Sequence, residues 1–269
     1  MNLALAAQSG FGKSAKTQEV VEKNAPDYDH VVVLDFKDEY RGLVKADIMK
    51  WWITGPKEMR WQKSQWSAFI ENNKKVVLAR HNALNEADWR EVAATVIAAA
   101  RDLGDVLIVI DEAHFVAPQS GATPPAVKGL ATTGRGEGAS SIWVTQRLAE
   151  MEETVLAQCQ SRLLGGFESS ADLDKVARIV EYPEKLHNPQ AGKVPNSPEE
   201  LQPLDDSGTK AKGGLVQALR KFEDNNGNTV GSEWIYSDNT GERRRMDTRG
   251  MFDDMQSEHY GAQGKKIEV

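Results

Sequence analysis

Short apolar runs alternate with segments of helical periodicity through the first two-thirds of the chain. The β-branched runs at 30–35 (HVVVLD) and 106–111 (VLIVID) predict buried strands, and the apolar spacing across 86–103 predicts a long helix. Further strands are predicted at 3–7, 75–79, 141–145 and 161–167, and a second helix at 14–23. Apolar strands that alternate with helices favour an α/β fold, with a mostly parallel central sheet flanked by helices.

The alternation ends near residue 187. Prolines and glycines punctuate the polar stretch 188–214, which predicts a linker or loop. Beyond it, residues 215–269 predict a small irregular extension with a hairpin around 238–241 and a flexible tail. We therefore expect one large α/β domain at 1–187, followed by an appendage.

The composition narrows the class of protein. The 269 residues are 40% hydrophobic and 27% charged, which excludes a disordered or collagen-like chain. The net charge of −7 argues against a chain wrapped in nucleic acid on all sides, but it allows a local basic channel. Cys159 is the only cysteine, which excludes an intramolecular disulfide and a Cys-rich zinc site and fits a reducing, cytosolic compartment. No apolar run approaches the roughly 20 residues that a membrane helix needs.

Residues 7–14, AQSGFGKS, match the P-loop pattern G-x-x-x-x-G-K-[ST] except for Ala7 at its first position. A predicted strand precedes the segment and a predicted helix follows it, as phosphate binding by a glycine-rich loop and a helix N-terminus requires. Lys13 can then reach the β- and γ-phosphates of ATP, and Ser14 can hold Mg²⁺. The alternative is a glycine-rich turn with a chance lysine. The residues predicted to bind the nucleotide are Ser9, Gly10, Phe11, Gly12, Lys13, Ser14 and Ala15.

Asp111 and Glu112 follow the apolar run 106–110, at the strand end where α/β sheets bind their ligands. Asp111 can hold Mg²⁺, partly through water, and Glu112 can polarise the water that attacks a phosphate. A glutamate in this position favours hydrolysis over phosphorylation of a small molecule. The alternative is an acidic cap on the following helix. The nearby His114 is expected to pack or cap, not to react.

Three further residues are candidates for catalytic roles. Gln146 follows the strand 141–145 and can sense the γ-phosphate, whereas its alternative is a surface strand end. Arg135 lies among glycines and could act on ATP in cis, or as an arginine finger on the ATP of a neighbouring subunit; the alternative is a solvated side chain in a turn. Asp35 ends the strand 30–35 and could contact the reacting water or the Mg²⁺ shell, or simply cap a loop.

Five segments together resemble the HerA/FtsK superfamily of P-loop DNA-pumping ATPases. They are AQSGFGKS at 7–14, LDFKDEY at 34–40, VIDEAH at 109–114, GRGEG at 134–138 and VTQR at 144–147. The resemblance covers roughly residues 1–180, is closest in look to viral genome-packaging ATPases, and implies a RecA-like motor domain of the ASCE type that forms hexameric rings. The implied roles are Lys13 and Ser14 at the nucleotide, Asp111 at Mg²⁺, Glu112 as catalytic glutamate, Gln146 as sensor, Arg135 as arginine finger and Asp35 near the active site.

The resemblance has departures that bear on function. Cellular HerA-like proteins carry a β-barrel before the ATPase, and FtsK-like pumps add membrane spans and a winged helix; we expect none of these here. A bare motor domain is similar to the packaging ATPases of membrane-containing icosahedral viruses. The resemblance therefore implies an ATP-driven translocase of double-stranded DNA without sequence preference, working in the host cytoplasm or with the virion. A capsid portal or vertex protein is the expected partner.

Other functions stay open. A related ATPase could act on a protein partner in conjugation, secretion or virion assembly, or could be a cellular DNA-processing motor. A small-molecule P-loop kinase would leave Glu112 without a role, and the chain is short for a two-domain DEAH helicase.

Three segments could contact DNA phosphates or bases. The first is the Pro/Gly-rich loop 117–125, which is followed by Lys128. The second is the densest basic cluster, and the third is a group of tryptophans interleaved with lysines. The alternatives are a solvated or intersubunit face for the arginines, and core or subunit contacts for the tryptophans. The residues are Arg243, Arg244, Arg245 and Arg249 in the cluster, and Trp51, Trp52, Trp61 and Trp66 in the group.

Overall fold

The computed structural model describes residues 1–204 and 214–260. Part of the predicted linker, 205–213, and the end of the predicted tail, 261–269, lie outside the described residues. The strands are β1 (Asn2–Ala6), β2 (His30–Asp35), β3 (Lys50–Thr54), β4 (Lys75–Arg80), β5 (Val106–Ile110), β6 (Ala139–Thr145), β7 (Ser161–Leu164), β8 (Lys193–Val194), β9 (Val216–Gln217), β10 (Lys221–Glu223), β11 (Thr229–Asp238) and β12 (Arg243–Asp247). The helices are α1 (Lys13–Asn24), α2 (Arg41–Lys45), α3 (Lys63–Asn72), α4 (Glu86–Leu103), α5 (Ala113–Val116), α6 (Pro125–Thr132), α7 (Glu153–Ala157) and α8 (Ser170–Ala177).

Among the described residues, a ten-stranded sheet contains seven consecutive parallel strands in the order β7-β1-β6-β5-β2-β4-β3, with β3 at one edge. Because these strands are parallel, their carboxyl ends share one edge of the sheet, where β1 delivers the P-loop and β5 delivers the acidic pair. Strand β6 lies between β1 and β5, so the residue that follows β6 is placed between those two groups.

Hydrophobic cores cover both faces of the sheet. In β2, Val32 and Leu34 join one core while Val31 and Val33 join the other, because successive side chains point to opposite faces. The larger core packs α3, α4 and α6 on one face, and α1 and α2 pack on the other. This two-sided burial explains why the central strands are almost continuously apolar.

The C-terminal segment extends the same sheet. Strand β11 pairs antiparallel with β7, and β10 and β12 both pair with β11. The hairpin expected around 238–241 is present, with β11 and β12 as its arms. The division into a domain at 1–187 and an appendage stays a prediction, but the appendage described here shares a sheet with the domain.

Residues 252–260 differ from the loose tail that the sequence predicts. Gln18 on α1 donates a hydrogen bond to Ser257 Oγ at 2.7 Å, and the Ser257 backbone N–H donates to Glu22 Oε2 at 2.9 Å. A Cβ at Gly42 would lie only 2.1 Å from the Glu258 carbonyl oxygen, so a glycine makes room for this contact. Long-range hydrogen bonds of this kind leave no local pattern in a polar sequence.

In the described part of the chain, no helix combines the length and the apolar character needed to cross a membrane.

Candidate active site

The P-loop leaves β1 at Ala6 and enters α1 at Lys13. Gly10 and Gly12 adopt left-handed backbone conformations, with φ of 76° and 80°, which glycine reaches without a Cβ penalty. The N-terminus of α1 therefore opens into a pocket lined by the loop, where its partial positive charge favours an anion.

Ala7 occupies the position where the P-loop pattern has glycine. It fits there because Gly165, directly after the neighbouring strand β7, has no side chain to collide with it. Ala7 is fully buried, and a Cβ at Gly165 would lie 2.8 Å from the Ala7 Cβ and 2.8 Å from the Phe11 ring. A Cβ at Gly166 would lie 2.5 Å from the same ring. Phe11 is buried on these glycines and contacts Trp234 edge-on at 6.1 Å, so its side chain anchors the loop and only its backbone can face the nucleotide.

Asp111 and Glu112 come directly after β5, and both are fully buried. Glu112 has φ 46° and ψ 49°, a left-handed conformation that costs a non-glycine residue about 1–3 kcal/mol and is concentrated at functional sites. Asp111 Oδ1 lies 3.8 Å from Lys13 Nζ and accepts a hydrogen bond from the Tyr40 hydroxyl at 3.4 Å. The P-loop lysine and the acidic pair therefore meet, as the sequence predicts.

The charges of this cluster shift one another's titration. Burial alone would lower the pKa of Lys13, but the carboxylates led by Asp111 and Glu112 outweigh it and the pKa is raised. Burial raises the pKa of Asp111 to about 6, with Lys13 opposing the change. Burial, reinforced by Asp111, raises the pKa of Asp35 to about 8. This concentration of acidic groups is suited to a cationic partner such as Mg²⁺.

Asp35 holds the loop that follows β2. Its two carboxylate oxygens accept the backbone N–H groups of Glu39 and Tyr40, each at 3.1 Å. The loop thereby presents Lys37, which pairs with Glu112, and Glu39, which accepts a hydrogen bond from the Ser14 hydroxyl. Asp35 stays a predicted site residue, but its contacts are those of a loop cap.

Lys37, Glu39 and Tyr40 are site residues that our sequence reasoning did not single out. All three lie in the segment 34–40, where only Asp35 was singled out. The signal was present in the alternation of acids and a lysine directly after a buried strand. Which of them faces the pocket depends on the path of the loop, which the spacing alone does not give.

Gln146 lines the same pocket as Lys13, directly after β6. His114 lies behind it, buried, with Nδ1 3.0 Å from Thr145 Oγ1 and 3.4 Å from Glu112 Oε2. Burial lowers the pKa of His114, which favours a neutral ring. His114 is thus packed, as expected, but it packs against the predicted catalytic glutamate.

Arg135 is exposed and lies where the parallel strands begin, at the end of the sheet opposite the P-loop. It precedes β6, whose seven residues span about 20 Å at roughly 3.3 Å per residue, whereas Gln146 follows that strand. Its charge acts on the amino group of Met1, at the start of β1, where it helps burial to lower the pKa. Arg135 is therefore remote from the pocket of its own chain, and its role as an arginine finger on a neighbouring subunit stays a prediction beside the alternative of a solvated side chain in a turn.

A pocket of about 340 Å³ joins these residues to the C-terminal extension. One side is formed by the P-loop with Lys37, Glu39 and Gln146. The other side comes from β11 and the segment after β12, a contribution that our sequence reasoning missed. Its lining residues are Thr229, Val230, Gly231, Ser232, Thr248, Met251, Phe252 and His259.

The basic cluster proves less suited to DNA than the sequence suggests. Strand alternation buries Arg245, whose guanidinium donates to the Ala218 carbonyl at 3.0 Å and pairs with Glu233. Arg243 lies 3.7 Å from Glu181, and Arg244 lies 3.6 Å from Glu242. Arg249, two residues beyond β12, likewise pairs with Asp247 at the end of that strand, so the expected basic surface is largely neutralised.

The tryptophan group divides between core and surface. Trp66 is fully buried and meets Trp61 edge-on at 4.8 Å, which is a core contact. Trp51 and Trp52 are each 37% exposed on the edge strand β3. The loop 117–125 is exposed at 119–122, between α5 and α6.

The residues at this edge fit Mg²⁺ and a nucleotide. Asp111 Oδ2 is buried and accepts no hydrogen bond from the described residues, which leaves an oxygen available to a cation or its water. Ser14, in the first turn of α1, lines the nucleotide pocket with its hydroxyl-bearing side chain. Mg²⁺ prefers oxygen ligands and is commonly held by one or two protein groups together with phosphates.

The fold is that of P-loop NTPases, a mostly parallel sheet that here carries the P-loop and an acidic pair at one edge. Two solved structures of this fold belong to the packaging ATPase B204. B204 of Sulfolobus turreted icosahedral virus 2, in complex with ATP-γ-S, is 14% identical with a TM-score of 0.54, and the match covers 91% of this chain and 95% of that one. B204 of Sulfolobus turreted icosahedral virus, a DNA-packaging ATPase, is 13% identical at a TM-score of 0.53, with the same coverage.

VirB4 of Thermoanaerobacter pseudethanolicus shares the fold as well. It is 12% identical with a TM-score of 0.57, over 91% of this chain and 88% of that one. No protein-family profile and no curated protein sequence matches the chain. At these identities the likeness shows the fold, so the predicted α/β P-loop fold is confirmed, and the resemblance to packaging ATPases is confirmed at the level of the fold.

Proposed function

We propose that the protein is an ATP-hydrolysing motor. The observation that carries this proposal is the meeting of Lys13 with the buried pair Asp111 and Glu112 at one edge of the sheet. A glutamate held beside the phosphate site suits activation of water, and a phosphate-binding loop alone would not require it.

The proposed mechanism assigns a task to each group. The P-loop backbone and Lys13 bind the phosphates. Ser14 and Asp111 would hold Mg²⁺, which would neutralise charge on the phosphates. Glu112 accepts a proton from the attacking water, and Gln146 orients that water or the γ-phosphate. Lys37 now pairs with Glu112 from the pocket side, so a bound γ-phosphate would compete for its ammonium group.

We further propose that hydrolysis drives translocation of double-stranded DNA, in the packaging of a viral genome. The likeness in fold to B204 over nearly the whole length of both chains supports this proposal. The position of Arg135, away from the pocket of its own chain, suits a homo-oligomeric ring, expected to be a hexamer, in which each subunit completes the next site. The expected setting is the host cytoplasm or the virion, with a portal or vertex protein as partner.

The test is the ATPase rate of the purified protein with and without double-stranded DNA of unrelated sequences. We expect several-fold stimulation by any sequence, and a loss of at least 100-fold in the Glu112→Gln variant, since that variant cannot accept the proton. Glu91→Gln, an exposed change on α4, is the matched control and should keep the full rate. A Glu112→Gln variant as fast as the control would contradict the catalytic assignment.

The second candidate is a motor that acts on a protein partner in secretion, conjugation or virion assembly. The likeness in fold to VirB4, at a TM-score of 0.57, favours it. Hydrolysis that is lost in Glu112→Gln but indifferent to DNA would move the assignment to this candidate.

A further inference from the structure

The pocket has two chemically different walls. The phosphate wall consists of Lys13, Ser14, Lys37, Glu39 and Gln146, and it contains all the charged lining residues apart from the titratable His259. The nucleoside wall consists of Thr229, Val230, Ser232, Met251 and Phe252, and it comes from the C-terminal extension. Since a nucleotide places its phosphates against the charged P-loop side, its sugar and base must extend along the uncharged one.

The hydroxyl groups of the nucleoside wall are already engaged with backbone. Thr229 Oγ1 donates to the Gly10 carbonyl at 2.9 Å, and Ser232 Oγ donates to the Phe11 carbonyl at 2.8 Å. The neighbouring Thr248 Oγ1 donates to the Ser232 carbonyl at 3.1 Å and accepts the Ser232 N–H at 2.8 Å. These hydrogen bonds fix the extension on the P-loop and direct the hydroxyl protons of Thr229, Ser232 and Thr248 at backbone carbonyls and away from a bound base.

Apolar surface stays free on the same wall. Phe252 is 47% exposed and Val230 is 45% exposed, and both line the pocket. Every base offers a flat face to an aromatic or branched side chain, whereas only its edge distinguishes one base from another. To reject the wrong base strongly, a site needs buried polar groups that the wrong base would leave unpaired.

We propose that Phe252 and Val230 form the nucleoside subsite, and that this subsite holds the base by apolar contact, with little discrimination between purine and pyrimidine nucleoside triphosphates. The inference rests on the proposed nucleotide hydrolysis. Phe252 is then the residue through which the C-terminal extension contributes to substrate affinity.

The experiment compares kcat and KM for ATP, GTP, CTP and UTP, and measures equilibrium binding by displacement of a fluorescent ATP analogue. We expect the four values of kcat/KM to lie within about tenfold of one another. Phe252→Ala should raise KM for all four by about tenfold and leave kcat within about twofold. Inorganic tripolyphosphate, which has no base, should displace the analogue at an unchanged inhibition constant in Phe252→Ala. Ile53→Ala, which removes an apolar side chain of nearly the same exposure (46%) on β3, away from the pocket, is the control and should alter none of these values.

Two results would overturn the subsite: a preference above 100-fold for one base, or an unchanged KM in Phe252→Ala. Failure of the proposed function has a different outcome. Lys13→Ala should lose binding of both ATP and tripolyphosphate, so a Lys13→Ala variant that still binds both would contradict the nucleotide site itself. Loss of binding in Lys13→Ala together with normal binding in Phe252→Ala would refute the subsite alone.

Discussion

The two walls of the pocket obey different physical constraints. The phosphate wall surrounds fully buried carboxylates, and it depends on particular residue types in particular places, because charges must be paired when they leave water. The nucleoside wall is partly exposed and neutral, and its apolar contacts depend only on the presence of surface. Phosphate chemistry therefore leaves a motif in the sequence, whereas base contact does not.

Gly166→Ala should have the largest effect on the structure, because Gly166 packs directly against Phe11 of the P-loop. The added Cβ would lie 2.5 Å from the Phe11 ring and 2.8 Å from the Pro189 ring. Overpacking of this kind costs about 1–3 kcal/mol, and we expect the upper part of that range together with weaker binding of ATP and tripolyphosphate alike. Urea unfolding measures the loss. Gly136→Ala, whose Cβ would meet nothing within 4 Å, is the control, and equal stability of the two variants would contradict the packing argument.

Lys37→Met should lower kcat for ATP by about tenfold, because a cation beside the γ-phosphate stabilises the transition state. The ratio of rates for ATP and GTP should not change, since the nucleoside wall is untouched. Steady-state kinetics provide the measurement, with the exposed Lys57→Met as control. A faster Lys37→Met enzyme would show instead that the ion pair restrains Glu112.

The smallest expected effect concerns His187, which is buried against Gly165, directly after β7. Its Nδ1–H donates to the Gly165 carbonyl at 2.8 Å, so Nε2 can accept from the Tyr182 hydroxyl at 3.1 Å. Burial lowers the pKa of His187 to about 4, with Arg245 adding to the effect. The unfolded chain therefore takes up a proton near pH 6.5 while the folded one does not, and stability falls as the pH drops below 6.5.

Between pH 7.5 and 5.5 this difference should cost the protein about 1 kcal/mol. The His187→Gln variant keeps a donor and an acceptor without titrating, so it should lose about 1 kcal/mol less over the same interval. Urea unfolding at the two pH values gives both numbers. If the free energy of unfolding depended on pH identically in the two proteins, the titration of His187 would not be the cause.

Much of the fold around the phosphate wall could be predicted from the sequence. The predicted strand at 30–35 and helix at 86–103 match β2 and α4, because their apolar periodicity is long and unbroken. Lys13 and Asp111 meet because parallel strands end at one edge, which follows from topology alone. Lys37 was not singled out because a loop of five residues can turn many ways, and its path is set by two hydrogen bonds to Asp35.

The sequence by itself determined the fold class, the phosphate-binding loop and the acidic pair, since hydrophobic period and motif spacing are local properties of the chain. The tertiary structure alone decided that Arg135 faces away from its own pocket, that Arg245 is buried, and that Phe252 lies beside the P-loop. The reason is that these placements come from contacts between segments up to about 240 residues apart, such as Thr229 with Gly10 and Ser257 with Gln18. Such contacts are fixed by packing of the whole sheet and are not encoded in any local pattern.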